Sequence, residues 1–145
     1  MAQLKGPAVF LAQFLRDTAP YDNLENISKW AASLGYKGVQ IPTWDSRVID
    51  LEQASVSRTY CDDLKAKLQE NGLQITELAA HLQGQVLAMN DVYKTAFAGF
   101  YPSRMTKKQV AEWAANQLRK SIDASRNLGL KVVPVLSGGF AWHMV

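Results

Sequence analysis

A short phrase in which a glycine separates a helix-like stretch from a strand-like stretch occurs three times along the chain. The glycines are Gly35, Gly72 and Gly129, and each is followed by a segment rich in Val, Ile or Leu. A glycine directly after a helix can adopt the left-handed conformation that closes the last turn, and short helix-to-strand loops are typical of parallel α/β proteins. The repeat therefore predicts an α/β fold of successive strand and helix units.

The stretches that precede these glycines carry helix signals. Asp22 and Glu25 have capping-box spacing, which predicts a first helix over about residues 23–34. Thr106 and Gln109 match the capping box more fully, and an apolar stripe at helical spacing predicts a long helix up to Gly129. The stripe consists of Val110, Trp113, Ala114, Leu118, Ile122 and Leu128.

The second main helix is predicted to end at Gly72, with a short helical lead-in at Leu51 and Ala54. Its main part is indicated by Tyr60, Cys61, Leu64 and Leu68. Its start is defined only to within several residues.

Four strands complete the pattern, and they are predicted over residues 8–14, 38–42, 74–82 and 131–136. Each connection between them is long enough to hold a helix, so the strands should run parallel with right-handed crossovers. Four parallel strands that alternate with three main helices fit half of a (β/α)₈ barrel or an open, doubly wound sheet.

The third predicted strand favours the barrel. Side chains alternate across a strand, so Leu78 and Ala80 should pack under helices while Glu77, His81 and Gln83 face the other way. This second face becomes polar towards the carboxyl end, where barrels carry functional groups above a packed interior.

Composition and charge exclude several classes of protein. The net charge is +3 and the isoelectric point is near 9.0. The basic residues alternate with acidic residues on predicted helical segments, which is typical of solvated helix faces and argues against nucleic acid as a partner. No apolar run approaches the roughly 20 residues needed to cross a bilayer. The single Cys61 cannot form an intramolecular disulfide, and we expect a buried thiol in a cytoplasmic protein of one domain over residues 1–145.

Several separate segments, in the right order, resemble the first half of a bacterial sugar phosphate isomerase or epimerase of the xylose-isomerase-like TIM-barrel superfamily. They are KGPAVFLAQF at 5–14, KWAASLGYKGVQIPTWD at 29–45 and ITELAAHLQGQ at 75–85, together with SRNLGL at 125–130 and Ser137-Gly138. The resemblance implies metal-assisted proton transfer beside a sugar carbonyl, in which the metal acts as a Lewis acid and paired acidic groups move protons.

The resemblance also suggests site residues. His81, at the predicted carboxyl end of strand three, is a candidate catalytic or metal-binding residue, and Glu77 is a candidate catalytic carboxylate; a hydrogen-bonded structural histidine is the alternative. Residues at or just beyond strand ends are candidates for substrate binding, although the amides could instead satisfy loop backbone and Trp44 could belong to the core. These candidates are Gln13, Gln40, Trp44, Asp45, Gln83, Gln85 and Ser137.

The family's principal metal ligands come from later strands, so we expect a divalent metal in the full-length family and none in this chain. His143 is the second histidine and a weaker candidate ligand. Barrels of this kind need ~250 residues, which predicts a fragment that ends after strand four and retains weak or no isomerase activity. Unpaired strand edges then predict a homodimer that completes the barrel.

Two alternatives remain open for the function. One is an active, metal-dependent isomerase or epimerase whose site is assembled across the dimer. The other is a non-catalytic module that binds a sugar, a phosphate or a partner chain. A metal-dependent nuclease, which the same superfamily contains, is a more distant possibility because the charge is dispersed and the ligands are missing.

Overall fold

The computed structural model describes residues 6–140, which form a parallel sheet covered by helices. Two short 3₁₀ turns, at Leu11–Gln13 and Asp91–Tyr93, interrupt the loops. The strands are β1 Ala8–Phe10, β2 Gly38–Pro42 and β3 Gln74–Ala79; the helices are α1 Leu24–Ser33, α2 Leu51–Val56, α3 Arg58–Gln69, α4 His81–Gln85 and α5 Lys107–Leu128.

The sheet is parallel, as predicted, and its order is β1-β2-β3. Ala8 pairs with Gly38, and Gly38 pairs with Gln74. The pairing of β2 with β3 is irregular after Val39, because the next residue, Gln40, pairs with Glu77 and leaves Thr76 unmatched. Thr76 is therefore a β-bulge, and its hydroxyl donates a hydrogen bond of 3.1 Å to the carbonyl of Val39.

The three glycines of the repeated phrase all have the predicted left-handed conformation. Their φ angles are +86° at Gly35, +69° at Gly72 and +75° at Gly129. Gly129 closes α5, since its N–H donates to the carbonyl of Arg126. The sequence interpretation of these residues as helix-to-strand turns is confirmed.

Helix starts were predicted with mixed success. Thr106 caps α5, and the full capping box with Gln109 is present. For α1, the prediction that Asp22 is the capping residue is wrong: Asn23 is the cap and accepts from the N–H of Asn26, while Asp22 accepts from the Asn26 side chain. The lead-in predicted around Leu51 and Ala54 is present as α2.

The fourth predicted strand is not a strand. Residues 130–139 have no regular secondary structure, although the segment lies against the end of β3, where the N–H of Ala80 donates to the carbonyl of Pro134 at 2.9 Å. Proline has no N–H to give to a sheet ladder, and it stands in the middle of the predicted strand. The apolar side chains of this segment, Val132, Val135 and Leu136, remain largely exposed.

Two other strands are shorter than predicted. β1 ends at Phe10, where the chain enters the first 3₁₀ turn, and β3 ends at Ala79. His81 and Gln83 therefore lie on helix α4 and not on the strand, so the alternation expected for residues 80–83 is wrong. The turn at Ala80, with φ −119° and ψ 42°, redirects the chain into that helix.

The main apolar core lies between the sheet and the helices. Leu78 belongs to this core, as predicted, and so does Cys61, whose burial raises the pKa of its thiol. On α5 the predicted stripe is only partly right, because Ile122 is 51% exposed while Ser121 and Ala124 are buried. The largest fully buried apolar side chains of this core are Leu11, Ile27, Val39, Ile41, Leu68, Leu73 and Leu78. No helix among residues 6–140 is long and apolar enough to span a membrane.

Candidate functional site

Gln40 of β2 and Glu77 of β3 form a hydrogen-bonded pair on the sheet. The Gln40 amide Nε2 donates to Glu77 Oε1 at 2.7 Å, and both side chains are half-buried. The bulge at Thr76 creates this pair, because a regular register would set Thr76 opposite Gln40. Two candidate site residues are thus joined by a contact between neighbouring parallel strands.

His81 lies within an aromatic cluster at the carboxyl edge of the sheet. Its ring is 5.4 Å from that of Phe10 and 6.1 Å from that of Trp44, measured between centroids. Phe10 and Trp44 also meet edge to face at 6.1 Å. Residues at or just after the ends of three different strands are therefore brought together, as expected for parallel strands whose carboxyl ends share one edge.

The surroundings of His81 favour the neutral form of its imidazole. Its Nδ1 is buried and has no hydrogen-bond partner. Burial lowers the pKa of His81, and the nearby carboxylate of Glu77 opposes this shift only in part. A neutral imidazole offers one nitrogen as donor and one as acceptor, which suits proton transfer or a hydrogen bond to a ligand hydroxyl.

Behind the cluster, Thr43 links the sheet to two helices. Its backbone N–H and its hydroxyl both donate to the carbonyl of Ala79, at 2.9 and 3.0 Å. The same hydroxyl accepts from Gln83 Nε2 at 3.1 Å and lies 3.3 Å from the Ser121 hydroxyl of α5. This buried polar network fixes α4, and with it His81, relative to the sheet.

Gln83 and Asp45, both candidates for substrate binding, are engaged within the protein. Gln83 is only 1% exposed, and its Oε1 has no partner. Asp45 forms two hydrogen bonds with the Arg47 guanidinium, at 2.9 and 2.7 Å. Burial alone raises the pKa of Asp45, but the hydrogen bonds and charge of Arg47 outweigh it and lower the pKa below its usual value.

The remaining candidates are dispersed. Gln13 is exposed on the 3₁₀ turn after β1, and Ser137 is exposed in the segment after α5. Gln85 is buried at the end of α4. The contacts described above join none of these three to Gln40, Glu77 or His81.

The residues present do not fit a metal ion on their own. Within residues 6–140, no group of three or more His, Cys, Asp or Glu side chains is arranged to hold one. Glu77 and His81 provide one carboxylate and one imidazole, which makes two ligands, whereas a stable metal site normally needs three or four. The other candidate ligand, His143, lies outside the described residues.

Sequence reasoning missed two residues that shape the site. Neither Thr43 nor Ser121 is among the candidates predicted from the sequence. A sequence signal exists for Thr43, since it directly follows the predicted strand 38–42, whereas a serine on a helix is usually solvated. Ser121 gave no such signal.

Residues 28–144 match the family model described as xylose isomerase-like TIM barrel. No curated protein matches the chain.

Proposed function

We propose, since this chain belongs to the xylose isomerase-like TIM barrel family, that it carries one half of a carbohydrate site of the isomerase or epimerase type, which we call the half-site. The half-site consists of Gln40, Glu77, His81 and Trp44. In this proposal the residues bind and orient a sugar or sugar phosphate, and the reaction requires further groups from the other half of a barrel.

The observation that carries the proposal is the Gln40–Glu77 hydrogen bond at 2.7 Å, together with the partner-free Nδ1 of His81, whose pKa responds to the charge of Glu77. An amide and a carboxylate offer the donors and acceptors that sugar hydroxyls need, and an indole provides an apolar surface for the face of a sugar ring. A carboxylate and a neutral imidazole are also the groups that enzymes use to move a proton to or from a carbon beside a carbonyl.

The direct test is binding of sugar phosphates, followed through the NMR signals of the His81 ring and the Gln40 side-chain amide. We expect saturable shifts in the wild type and binding about tenfold weaker in Gln40→Leu, which removes a hydrogen bond of about 1.4 kcal/mol. Gln74→Leu is the matched control, because Gln74 is an exposed glutamine at the amino end of β3. Equal loss in both variants would argue against the proposed half-site.

Binding without turnover is the second candidate function. The incomplete set of metal ligands among residues 6–140 favours it over catalysis by a single chain. The same NMR samples, prepared in D₂O, distinguish the two candidates, because isomerisation or epimerisation through proton transfer exchanges the hydrogen on the carbon beside the carbonyl for deuterium.

We further propose that a second copy of the chain completes the barrel. β1 is at one edge of the described sheet, and beyond the other edge lies the segment 130–139 with Val132 56% exposed. An unpaired strand edge beside exposed apolar side chains favours association between chains. A two-fold arrangement would pair these open sides with each other.

This association predicts a concentration-dependent dimer in sedimentation velocity. Val132→Asp should weaken it by about tenfold or more, because a carboxylate would be buried in the contact without a partner. Val56→Asp is the control, since Val56 is even more exposed and lies on helix α2, which is part of neither the sheet edge nor the segment 130–139. A wild-type protein that is folded and monomeric at high micromolar concentration would rule the dimer out.

A further inference from the structure

A groove that plays no part in the half-site lies between the turn after α4, the first residues of α5 and the ring of Phe140; we call it the Phe140 groove. Its volume is about 400 Å³, which falls in the range of small-molecule sites. None of the four residues of the half-site lines it. Binding in this groove is therefore independent of the function proposed above.

The surface of the Phe140 groove is apolar. Val86 and Met89 line it and also belong to the smaller apolar core, which includes Val110 and Ala114 of α5. Leu87 lines it as well, and this side chain is 39% exposed. Exposed apolar side chains next to a packed core are typical of surfaces that bind an apolar group.

The ring of Phe140 forms a wall of the groove that is held in place, although it is 61% exposed. The side-chain amide of Asn90 donates to the carbonyl of Phe140, and the Lys107 ammonium lies 5.6 Å from the centre of the ring. Two residues earlier, the N–H of Gly138 donates to the carbonyl of Gly84 at 3.0 Å. A wall that is already in position binds a ligand at a small cost in conformational entropy.

The charges of the lining identify the class of ligand. Lys107 and Lys108 line the groove, and no acidic residue among residues 6–140 does. Lys107 is engaged by Asp91, at 3.0 Å. Lys108 is 87% exposed, and its contact with Glu112, at 3.8 Å, is too long for a hydrogen bond. The Lys108 ammonium can therefore pair with an anionic group of a ligand.

We propose that the Phe140 groove binds a medium-chain aliphatic carboxylate, with its chain against Leu87 and Phe140 and its carboxylate on Lys108. A sugar is a poor ligand for this groove. Within residues 6–140, the two lysines are the only polar side chains that line it, and an ammonium group accepts no hydrogen bond.

The test is a titration with sodium octanoate, followed by calorimetry and by the methyl NMR signals of Leu87 and Met89. We expect saturable binding of one octanoate per chain. Hexanoate should bind about tenfold more weakly, because it buries two fewer methylene groups. Shifts that grow in proportion to concentration without saturation would mean non-specific partitioning and would overturn the proposal.

Lys108→Glu tests the position of the carboxylate. It should weaken octanoate binding about fivefold, because an exposed attraction is replaced by a repulsion of similar size. Binding of 1-octanol, which has the same chain and no charge, should not change. Lys67→Glu on α3 is the matched control, since Lys67 is an exposed lysine outside the groove and the change in net charge is the same. Equal weakening in both variants would overturn the assignment of the carboxylate to Lys108.

Leu87→Ser tests the apolar surface and should weaken octanoate and 1-octanol alike, by about fivefold. Leu34→Ser is its control, because Leu34 is an exposed leucine at the end of α1. All four variants change exposed side chains, so each should keep the wild-type circular dichroism spectrum. Octanoate binding that is unchanged in Leu87→Ser would contradict the proposal.

Two further measurements complete the test. Octanoate binding that appears only in a variant ending at Phe140 would mean that the groove is taken by the residues that follow, and would overturn the proposal. Glu77→Gln should leave octanoate binding intact, so failure of the half-site and failure of the groove are distinguishable.

Discussion

Thr43→Val lowers the free energy of unfolding by about 3 kcal/mol, and this is the largest effect that we expect from a single polar residue of the chain. The change removes the hydroxyl at the centre of the network between β2, β3, α4 and α5. Gln83 Nε2 loses its acceptor in the interior, and the carbonyl of Ala79 keeps only the bond from the backbone N–H of residue 43. Each buried polar group that is left without its partner costs about 1–3 kcal/mol.

Thr43→Ser is the control for this prediction. It keeps the hydroxyl and removes only a methyl group, which should cost about 1 kcal/mol. Urea unfolding followed by circular dichroism gives the urea midpoint of each variant. If the m values are equal, the difference between the midpoints gives the difference in the free energy of unfolding. If Thr43→Val and Thr43→Ser unfold at the same midpoint, the network does not stabilise the junction of sheet and helices.

Gly138→Ala should detach the segment after α5 from helix α4. A Cβ at Gly138 would overlap the backbone carbonyl oxygens of Gln85 and Ala88, and backbone atoms cannot move aside as a flexible side chain can. The same segment is held by the bond from the N–H of Gly138 to the carbonyl of Gly84, at 3.0 Å. We expect the free energy that opposes local opening of this segment to fall by about 2 kcal/mol, which is typical of overpacking at a closely packed position.

Hydrogen exchange at Ala80 reports this change, because its N–H donates to the carbonyl of Pro134. A loss of about 2 kcal/mol predicts exchange at Ala80 that is roughly thirtyfold faster. Gly99→Ala is the matched control, since its Cβ would meet no atom within 4 Å. Unchanged exchange at Ala80 in Gly138→Ala would mean that the segment is not anchored by this close contact.

The parts of the fold that depend on local chemistry could be predicted from the sequence. The glycines after three helices, the capping box at Thr106 and the parallel order of the strands are confirmed, and so is the resemblance to the xylose isomerase-like family. The fourth strand could not be predicted correctly, because its Val-rich composition indicates a strand, whereas sheet pairing depends on donors that Pro134 lacks.

The candidate site was only partly predictable for a related reason. That Trp44 and His81 would share one edge follows from parallel strand ends, whichever element each residue lies on. Gln40 and Glu77 instead meet inside the sheet, through the register of β2 and β3. The burial of Gln83 depends on the turn at Ala80, which converts an expected strand end into a helix. The contacts of Thr43 with Ser121 join residues 78 positions apart, and no local pattern contains that information.

The bulge at Thr76 determines which side chain of β3 lies next to Gln40. Successive side chains along a strand point to opposite faces of the sheet. One extra residue therefore moves every side chain after it to the other face. If β3 paired regularly with β2, Thr76 would stand opposite Gln40 and Glu77 would belong to the other surface of the sheet. Whether Gln40 faces a carboxylate or a threonine hydroxyl on the neighbouring strand is therefore decided by this one register shift, at a residue that makes no contact with any substrate in our proposal.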